Sequence, residues 1–412
     1  VKEMPGVPPD LIGLLTEAAA GMRLALVGGA VRDLLLHRLH NDPWRGLPDL
    51  DLVVEGSAPE LVRQLASSLA AGAGVLKASR EHGAYGTVEL ELEVAGQLLL
   101  LDVATARREI YPQLAENPQV SFGCLADDLA RRDFTINAIA LDLTSSDLLD
   151  PHGGQVDLQA RQLRFLHGGS LADDPTRLVR AARYGARLGF ELAPESLQQV
   201  QATLQTWPWQ WRLGDRPDQA PPALATRLRM ELELLLEREP WAQALELLQG
   251  WGGMALLDPQ LQADRFWRLR LNWAQRAGLP LLVALVACAE QPLALAERLQ
   301  LPHRQHKLLA AAQALLQRLG ALENPAALSV PEWCELLEAP GCPAEAVVLL
   351  LVSTAGRRPR WRRPLLRWWL RWRQLQAPIS AHQLVAEGIQ PGPELGARLR
   401  QARATLLQSE RS

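Results

Sequence analysis

The stretch "RLALVGGAVRDLLLHRLHNDPWRGLPDLDLVVEG", residues 23 to 56, decides how the N-terminal part of this chain folds. Its first run, LALV, is short, apolar and closed by two glycines, so it reads as a strand. AVRDLLLHRL, which follows, carries its leucines at helical spacing. A Pro/Gly loop then leads to DLDLVVEG, a second apolar run that reads as a strand. The unit is α/β. Its Gly28-Gly29 turn leaves free backbone N–H groups at a helix N-terminus, a good cradle for phosphate, and Arg32 one turn on adds a cation. Neither the GxGxxG nor the GxxxxGK[ST] spacing is present, and a Gly-Gly turn by itself is more often only a tight turn. Asp49 and Asp51 are alternate residues of a strand and therefore share a face. Two carboxylates so close are unfavourable unless a cation bridges them, and such hard oxygen ligands suit Mg2+; the alternative is an exposed edge with two solvated acids.

Working outward, an N-terminal helix over about residues 8–21 precedes this unit. A helix APELVRQLASSLAAG and an alternating hairpin GTVELELEVAGQLLLLDVATA follow it. Asp102 ends the second arm of that hairpin and can come alongside Asp49 and Asp51. Three carboxylates on neighbouring strands would hold two divalent ions for in-line attack at phosphorus, one activating the attacking hydroxyl and the other stabilising the leaving pyrophosphate. In "DDLARRDFTINAIALDL", residues 127 to 143, Arg131, Arg132 and Asp133 stand before an apolar segment that reads as a buried helix and carries Asn137. Arginines at such a position are costly unless they meet an anion such as a triphosphate; a solvated helix start is the alternative. DPHGG, residues 150 to 154, is a turn by composition, and its aspartate is placed to cap or to hinge.

The pattern changes from residue 171, where Leu, Ala, Arg and Gln recur at helical spacing. The fold class is therefore α+β: a head with a small mixed sheet, then an all-helical arm. "DDPTRLVRAARYGARLGF", residues 173 to 190, places arginines at 177, 180, 183 and 187 on one arc of roughly 120° of a helical wheel. Leu178, Ala181, Ala182, Gly185 and Leu188 take the other side, with an Asp N-cap and Pro in the first turn. No glutamate in the helix pairs with the arginines. Such a stripe is either a solvated surface face or lies against something anionic.

Bulk properties set limits. At 412 residues, two to four domains are expected. The chain is 48% apolar and 22% charged, with no run of about 18 uncharged apolar residues, so neither disorder nor a membrane span is expected. The N-terminus does not resemble a signal peptide. Cys124, Cys288, Cys334 and Cys342 are scattered without zinc spacing, which suggests a reducing, cytoplasmic setting. A formal charge of −3 excludes a wholly basic nucleic-acid coat but not a local patch. Such a patch is "GRRPRWRRPLLRWWLRWRQL", residues 356 to 375, with eight arginines and four tryptophans.

Taken in order, LVGGAVRD, DLDLVVEG, LARRDFTINAIA, DPHGG and DDPTRLVRAARYGARLGF closely resemble the class II tRNA nucleotidyltransferase and bacterial poly(A) polymerase superfamily, over about residues 22 to 195. The resemblance implies a nucleotidyltransferase head (1–165), a helical neck that recognises the base (166–225), a helical body (226–325) and a basic helical tail (326–412). It implies that Gly28, Gly29 and Arg32 form a triphosphate-binding turn, that Asp49 and Asp51 hold two Mg2+ ions, and that Asp102 closes the catalytic site. Arg132 becomes a nucleotide-contacting arginine, and Arg131, Asp133 and Asn137 belong with the ribose and phosphates. Asp174 and Arg177 match the pair that hydrogen-bonds the edge of the incoming base, and Arg180 and Arg183 match further nucleotide-binding arginines. Asp173 stands where the family more often has Glu.

The implied reaction is attack of a tRNA 3′-hydroxyl on the α-phosphorus of CTP or ATP, adding all or part of CCA. Poly(A) polymerases commonly carry a basic, aromatic segment after the carboxylate strand; "SREHGAYGTVELELE" has none, which favours the tRNA enzymes. The loop "ARREIYPQLAENPQVSFGCLADD", expected to be flexible, lacks the arginine-proline run of many complete CCA-adding enzymes and leaves CCA, CC or A addition open. No HD dipeptide occurs, so the extra phosphohydrolase domain of some relatives is not expected. In the tail, a helix after Pro364 would set Arg367 and Arg371 four apart; with Arg360, Arg362 and Arg363 they would grip tRNA phosphates. For the tryptophans beside them, core packing is favoured over base stacking. A catalytically silent RNA-binding relative, or a nucleotidyltransferase acting on a small molecule, are the readings from other classes.

Overall fold

The computed structural model describes residues 4–46, 49–83 and 86–410. Residues 47–48 of the Pro/Gly loop and 84–85 of SREHGAYG lie outside the described residues. The chain divides into two compact units: residues up to Arg212 with Pro221–Glu231 and Glu237–Gly253, and Leu213–Ala220 with Leu232–Leu236 and the residues from Met254 onward.

The first unit opens with α1 (Pro9–Ala18), β1 (Arg23–Val27), α2 (Gly29–His40), β2 (Leu50–Glu55) and α3 (Ala58–Ser68). Ser57 caps α3, its Oγ accepting from Glu60 N at 3.3 Å. Strands β3 (Val75–His82), β4 (Thr87–Val94) and β5 (Gln97–Thr105) follow, then β6 (Arg107–Ile110), β7 (Gln119–Phe122), α4 (Leu125–Ala130), β8 (Ala140–Asp142) and β9 (Leu148–Leu149). Seven of these strands form one mixed sheet in the order β3-β4-β5-β2-β1-β8-β9. Only β2 and β5 run parallel within it, and their register sets Asp51 directly beside Asp102. Ala25, Val27, Val53 and Ala140 of the sheet bury against Leu125 and Leu129 of α4.

Three features differ from expectation. β3 was not legible because it is an exposed edge strand without apolar alternation; its partners are the β4 backbone and cross-strand charges, including Lys77 to Glu93 at 2.7 Å. The loop expected to be flexible contains a hairpin, β6 pairing with β7. The apolar segment after Arg131, Arg132 and Asp133 is not a helix: it is a short 3-10 turn over Thr135–Asn137 leading into β8, the strand that pairs with β1. Those arginines therefore end α4 instead of starting a helix.

Asp150 accepts from Gly154 N at 2.6 Å and Gln155 N at 2.9 Å, so the DPHGG aspartate caps α5 (Gly154–Ala160). The unit continues through β10 (Gln162–Leu163), α6 (Ser170–Asp173), α7 (Thr176–Leu188), β11 (Glu191–Leu192), α8 (Pro194–Thr206), α9 (Thr226–Arg238) and α10 (Trp241–Gly250). α9 contributes residues 226–231 and 237–238 to this unit. Leu178, Ala181, Ala182, Gly185 and Leu188 are buried as the wheel requires. A Cβ on Gly185 would lie 2.9 Å from Leu247 of α10 and 3.1 Å from the Phe190 carbonyl, so glycine allows that close packing. Pro175 is the N-cap of α7, one position before the expected first turn, and Asp174 accepts from Thr176 N at 3.1 Å.

The second unit is helical: α11 (Pro259–Ala263), α12 (Trp267–Arg276), α13 (Leu281–Val286), α14 (Pro292–Arg298), α15 (His303–Gly320), α16 (Val330–Leu337), α17 (Ala344–Ser353), α18 (Arg362–Leu370), α19 (Ala381–Ala386) and α20 (Pro393–Gln408). Among the described residues no helix is long and apolar enough to cross a membrane. Trp333, Trp361, Trp368 and Trp372 are buried in one core, and Trp368 Nε1 donates to Glu338 at 2.9 Å, so these side chains pack as expected. The tail helix ends at Leu370; Arg371 has a non-helical backbone, and its guanidinium pairs with Glu410 at 2.8 Å. Arg362 donates to the Leu351 carbonyl at 2.5 Å and to Thr354 Oγ1 at 2.8 Å, closing the C-terminal end of α17. That contact occupies Arg362 in the fold, whereas Arg360 and Arg363 are exposed and Arg367 is half-buried.

Candidate active site

Gly28, between β1 and α2, has φ +70° and ψ −137°, a conformation that favours glycine. A Cβ at that position would stand 2.9 Å from Asp51 Oδ2 and 3.2 Å from Arg132 Nη1. The missing side chain thus allows a carboxylate and a guanidinium to converge on the turn. Arg32, buried one turn into α2, donates to Asn137 Oδ1 at 3.0 Å and to Asp33 at 2.8 Å and lies over the Tyr184 ring. It supports the turn from behind.

Asp51 and Asp102 are direct neighbours on the parallel strands, and exposed Asp49 sits just before β2. Burial raises the Asp51 carboxyl pKa to about 6; the charge of Arg132 opposes the rise, while those of Asp102 and Asp49 add to it. Asp102 is also shifted upward, by burial and then by the charges of Glu89 and Asp49. The carboxylates thus repel one another, and a divalent cation would relieve that repulsion. Among the described residues no three His, Cys, Asp or Glu side chains are gathered as a ready metal cage.

Across the turn, Asp128 of α4 is fully buried and holds both arginines: Arg131 at 2.6 Å and Arg132 at 2.9 Å. Arg131 also reaches Glu109 at 3.3 Å, and the buried Arg132 Nε has no hydrogen-bond partner among the described residues. Arg132 Nη1 comes to the Gly28 turn, where a guanidinium suits an anionic ligand. Asp133 accepts from Phe134 N at 2.9 Å and Asn137 Nδ2 at 3.0 Å, and Arg180 approaches it at 3.6 Å.

The arginines of α7 are not unpaired. Arg180 and Arg183 both contact Glu231 of α9, at 2.8 and 2.5 Å, and Arg183 and Arg187 share Glu239. Burial disfavours the Arg180 charge, but Asp133 and Glu231 outweigh it and raise its pKa. Arg187, expected to be solvated, is thus an ion-pair partner. The helix carries no glutamate because its counter-charges come from Glu231 of α9 and Glu239 just after it, some fifty residues further along the chain. Arg177 is buried, donates to the Ser170 and Arg131 carbonyls at 3.4 Å, and lies 6.0 Å from the Tyr111 ring. Asp174 binds Thr176 through Oδ1 and Arg227 through Oδ2. Asp173 instead faces His167, at 3.8 Å.

These groups line a cavity of about 440 Å³, a size usual for small-molecule sites. Gly28, Gly29, Asp51, Arg131, Arg132, Asp133, Asn137, Asp174, Arg177 and Arg180 are on its wall. Asp49, Asp102, Arg32 and Arg183 stand outside that wall. Sequence reasoning missed Arg107, Glu109, Tyr111, Asn117, Pro118, Tyr184 and Arg227 on the wall and Asp128 and Glu231 behind it. Asp128 was legible, lying three and four residues before the two arginines on a helical face. Arg227 and Glu231 were not, because only tertiary packing brings α9 to α7.

Residues 24–164 match the family model described as the Poly A polymerase head domain. A CC-adding tRNA nucleotidyltransferase of Deinococcus radiodurans is 36% identical over 394 residues, covering 94% of this chain and 85% of that protein. The chain belongs to the class II tRNA nucleotidyltransferase family. An A-adding tRNA nucleotidyltransferase of Halalkalibacterium halodurans is 37% identical over 201 residues, 47% of this chain and 43% of that protein. The nucleotidyltransferase fold agrees as well: a CCA-adding enzyme in its apo form II aligns with a TM-score of 0.68 at 23% identity, over 99% of this chain and 94% of that one.

Proposed function

We infer that this nucleotidyltransferase adds cytidylate to immature tRNA 3′ ends, using CTP and releasing pyrophosphate. The observation that carries this reading is the match to a CC-adding enzyme over nearly the whole of both chains, whereas the A-adding relative matches over less than half of each. The alternatives are complete CCA addition and A addition from ATP.

The site supports a division of roles. The backbone N–H groups at Gly28 and Gly29 and the guanidinium of Arg132 beside them receive the triphosphate, with Arg32 supporting the turn. Asp133 and Asn137 border the ribose and Arg131 the phosphates, while Asp174 and Arg177 meet the base edge, with Arg180 and Arg183 behind them. Asp49 and Asp51, with Asp102 alongside, fit two Mg2+ ions, since ionised acids packed this closely need a counter-charge. Bound there, the ions would supply Lewis-acid activation of the 3′-hydroxyl and charge stabilisation of the leaving pyrophosphate. The 3′-hydroxyl attacks the α-phosphorus, the new phosphodiester forms, and the bond to the β-phosphate breaks. In this reading Arg360, Arg363, Arg367 and Arg371 of the tail meet tRNA phosphates in a cytoplasmic enzyme.

Incubation with tRNA lacking its 3′ end, ending in C or ending in CC, with labelled CTP or ATP and Mg2+, tests the reading. CTP incorporation into the first two without AMP addition to the third is expected. AMP addition alone makes it an A-adding enzyme, and both activities a complete one. Long A tails on unrelated RNA indicate poly(A) polymerase, and no incorporation anywhere overturns the enzyme reading.

A further inference from the structure

Asp174 is one of the most fully committed carboxylates in the molecule. It is 3% exposed, its Oδ1 accepts from Thr176 N at 3.1 Å and Thr176 Oγ1 at 2.6 Å, and its Oδ2 is bound by Arg227. A carboxylate has room for about four donors. Thr176 takes the sites on Oδ1 and Arg227 one on Oδ2, so one acceptor position on Oδ2 remains. Arg227 is itself on the cavity wall, 27% of its side chain exposed, and its Nη1 donates to the Glu116 carbonyl at 3.5 Å. It sits one turn before Glu231 on α9, the residue that holds Arg180 and Arg183. α9 thus fixes both ends of the α7 recognition surface, the acid through Arg227 and the arginines through Glu231.

We propose that Arg227 is a positioning residue that sets base specificity, holding Asp174 turned so that its last acceptor site faces the incoming base. The inference rests on the reading of Asp174 and Arg177 as the base-recognition pair. With that site fixed, cytosine completes it with an N4–H donor. Uracil presents its O4 acceptor at the same place, and two acceptors repel. Loss of Arg227 leaves a buried carboxylate without its cation and free to turn toward Arg177, and once turned it no longer refuses an acceptor. Selectivity is then lost at a residue that need not touch the base.

The test compares kcat/KM for CTP and for UTP on tRNA lacking its 3′ end, in wild type, Arg227→Gln, Arg227→Lys and Asp174→Asn, with circular dichroism as a folding check. Arg227→Gln is expected to lower the CTP/UTP ratio by about tenfold or more, since a site matched to a donor rejects its mismatch through such contacts. Arg227→Lys keeps the charge but not the fork and should fall between wild type and Gln. Equilibrium dialysis with labelled CTP and UTP gives the same ratio for any variant too slow to turn over. A wild-type ratio in Arg227→Gln, or in Arg227→Lys should the Gln variant not fold, overturns the proposal if Asp174→Asn has lost selectivity. A wild-type ratio in Asp174→Asn overturns the base-recognition reading on which it rests.

Discussion

Replacing Asp51 by Asn should separate stability from activity. In the metal-free protein its carboxyl pKa is raised from the ordinary 3.8 to about 6, chiefly by burial. Below pH 3.8 the carboxyl is protonated in folded and unfolded chains alike and costs nothing. Between those values the unfolded chain ionises first, so stability falls as pH rises, and above about pH 6 the full cost is present. At 1.36 kcal/mol per tenfold change in proton affinity the cost is at most about 3 kcal/mol, and contact with water reduces it to about 1–3 kcal/mol. Asn cannot ionise and is nearly the same shape. Asp51→Asn should therefore melt higher than wild type in EDTA at pH 7.5, by about 2–10 °C for a unit of this size. The advantage should shrink through pH 5 and vanish below pH 4. Adding Mg2+ should reverse the comparison, because an ion at 100 times its dissociation constant stabilises wild type by about 2.7 kcal/mol while the variant binds weakly. Nucleotidyl transfer by the variant should be lost. Thermal denaturation followed by circular dichroism at four pH values, with and without Mg2+, reads all of this. An Asn variant less stable than wild type in EDTA at pH 7.5 refutes the argument that the acid is strained.

Gly28→Ala should cost about 1–3 kcal/mol of stability from its backbone conformation and, by displacing Asp51 or Arg132, lower turnover by about a hundredfold; urea denaturation and initial rates measure the two. Glu231→Gln removes the charge shared by Arg180 and Arg183, and with Asp133 and Glu239 still nearby should destabilise by about 2 kcal/mol, read as a lower urea midpoint. Trp372→Ala in the tail core should cost about 3–5 kcal/mol, seen as early melting of the second unit. Arg363→Ala should leave melting unchanged but weaken tRNA binding and reduce the slope of log affinity against log salt by about 1; an unchanged slope removes that arginine from the tRNA surface.

The parts of the fold legible in the sequence were those whose burial has a local period. The Gly-Gly turn, the Asp49 and Asp51 strand, the β4–β5 hairpin and the apolar face of α7 each bury residues at spacings of two or 3.6. β3 escaped because an edge strand exposed on both faces has no such period, its pairing partner being the only thing that defines it. The FTINAIALDL segment was misread for the opposite reason: a short apolar run buried on all sides fits a helix and a central strand equally well until its neighbours are known. The candidate site was legible in its residue types and motif order, and Asp51 and Asp102 do meet. What pairs with what was not legible. Asp128 lies within helical reach of its arginines, but Glu231, Glu239 and Arg227 are separated from theirs by about fifty residues, and no local rule connects them.

That pairing changes what the arginine stripe can do. Four free guanidinium groups would draw any phosphate to the neck side of the cavity without selectivity. With Arg180, Arg183 and Arg187 held by Glu231 and Glu239, most of that attraction is spent within the protein. Arg132, also on the wall, instead brings its Nη1 to the Gly28 turn, beside the Asp51 carboxylate. Under the proposed function a triphosphate at the Gly28 turn leaves Asp174 and Arg177 for the base. A base read by hydrogen bonds needs that separation, because a phosphate bound at Arg177 would occupy the donors that distinguish one base edge from another. Under the proposed function, Glu231 of α9 and Glu239 just after it serve selectivity by neutralising charge, so that α7 can act as a recognition surface because its arginines are paired.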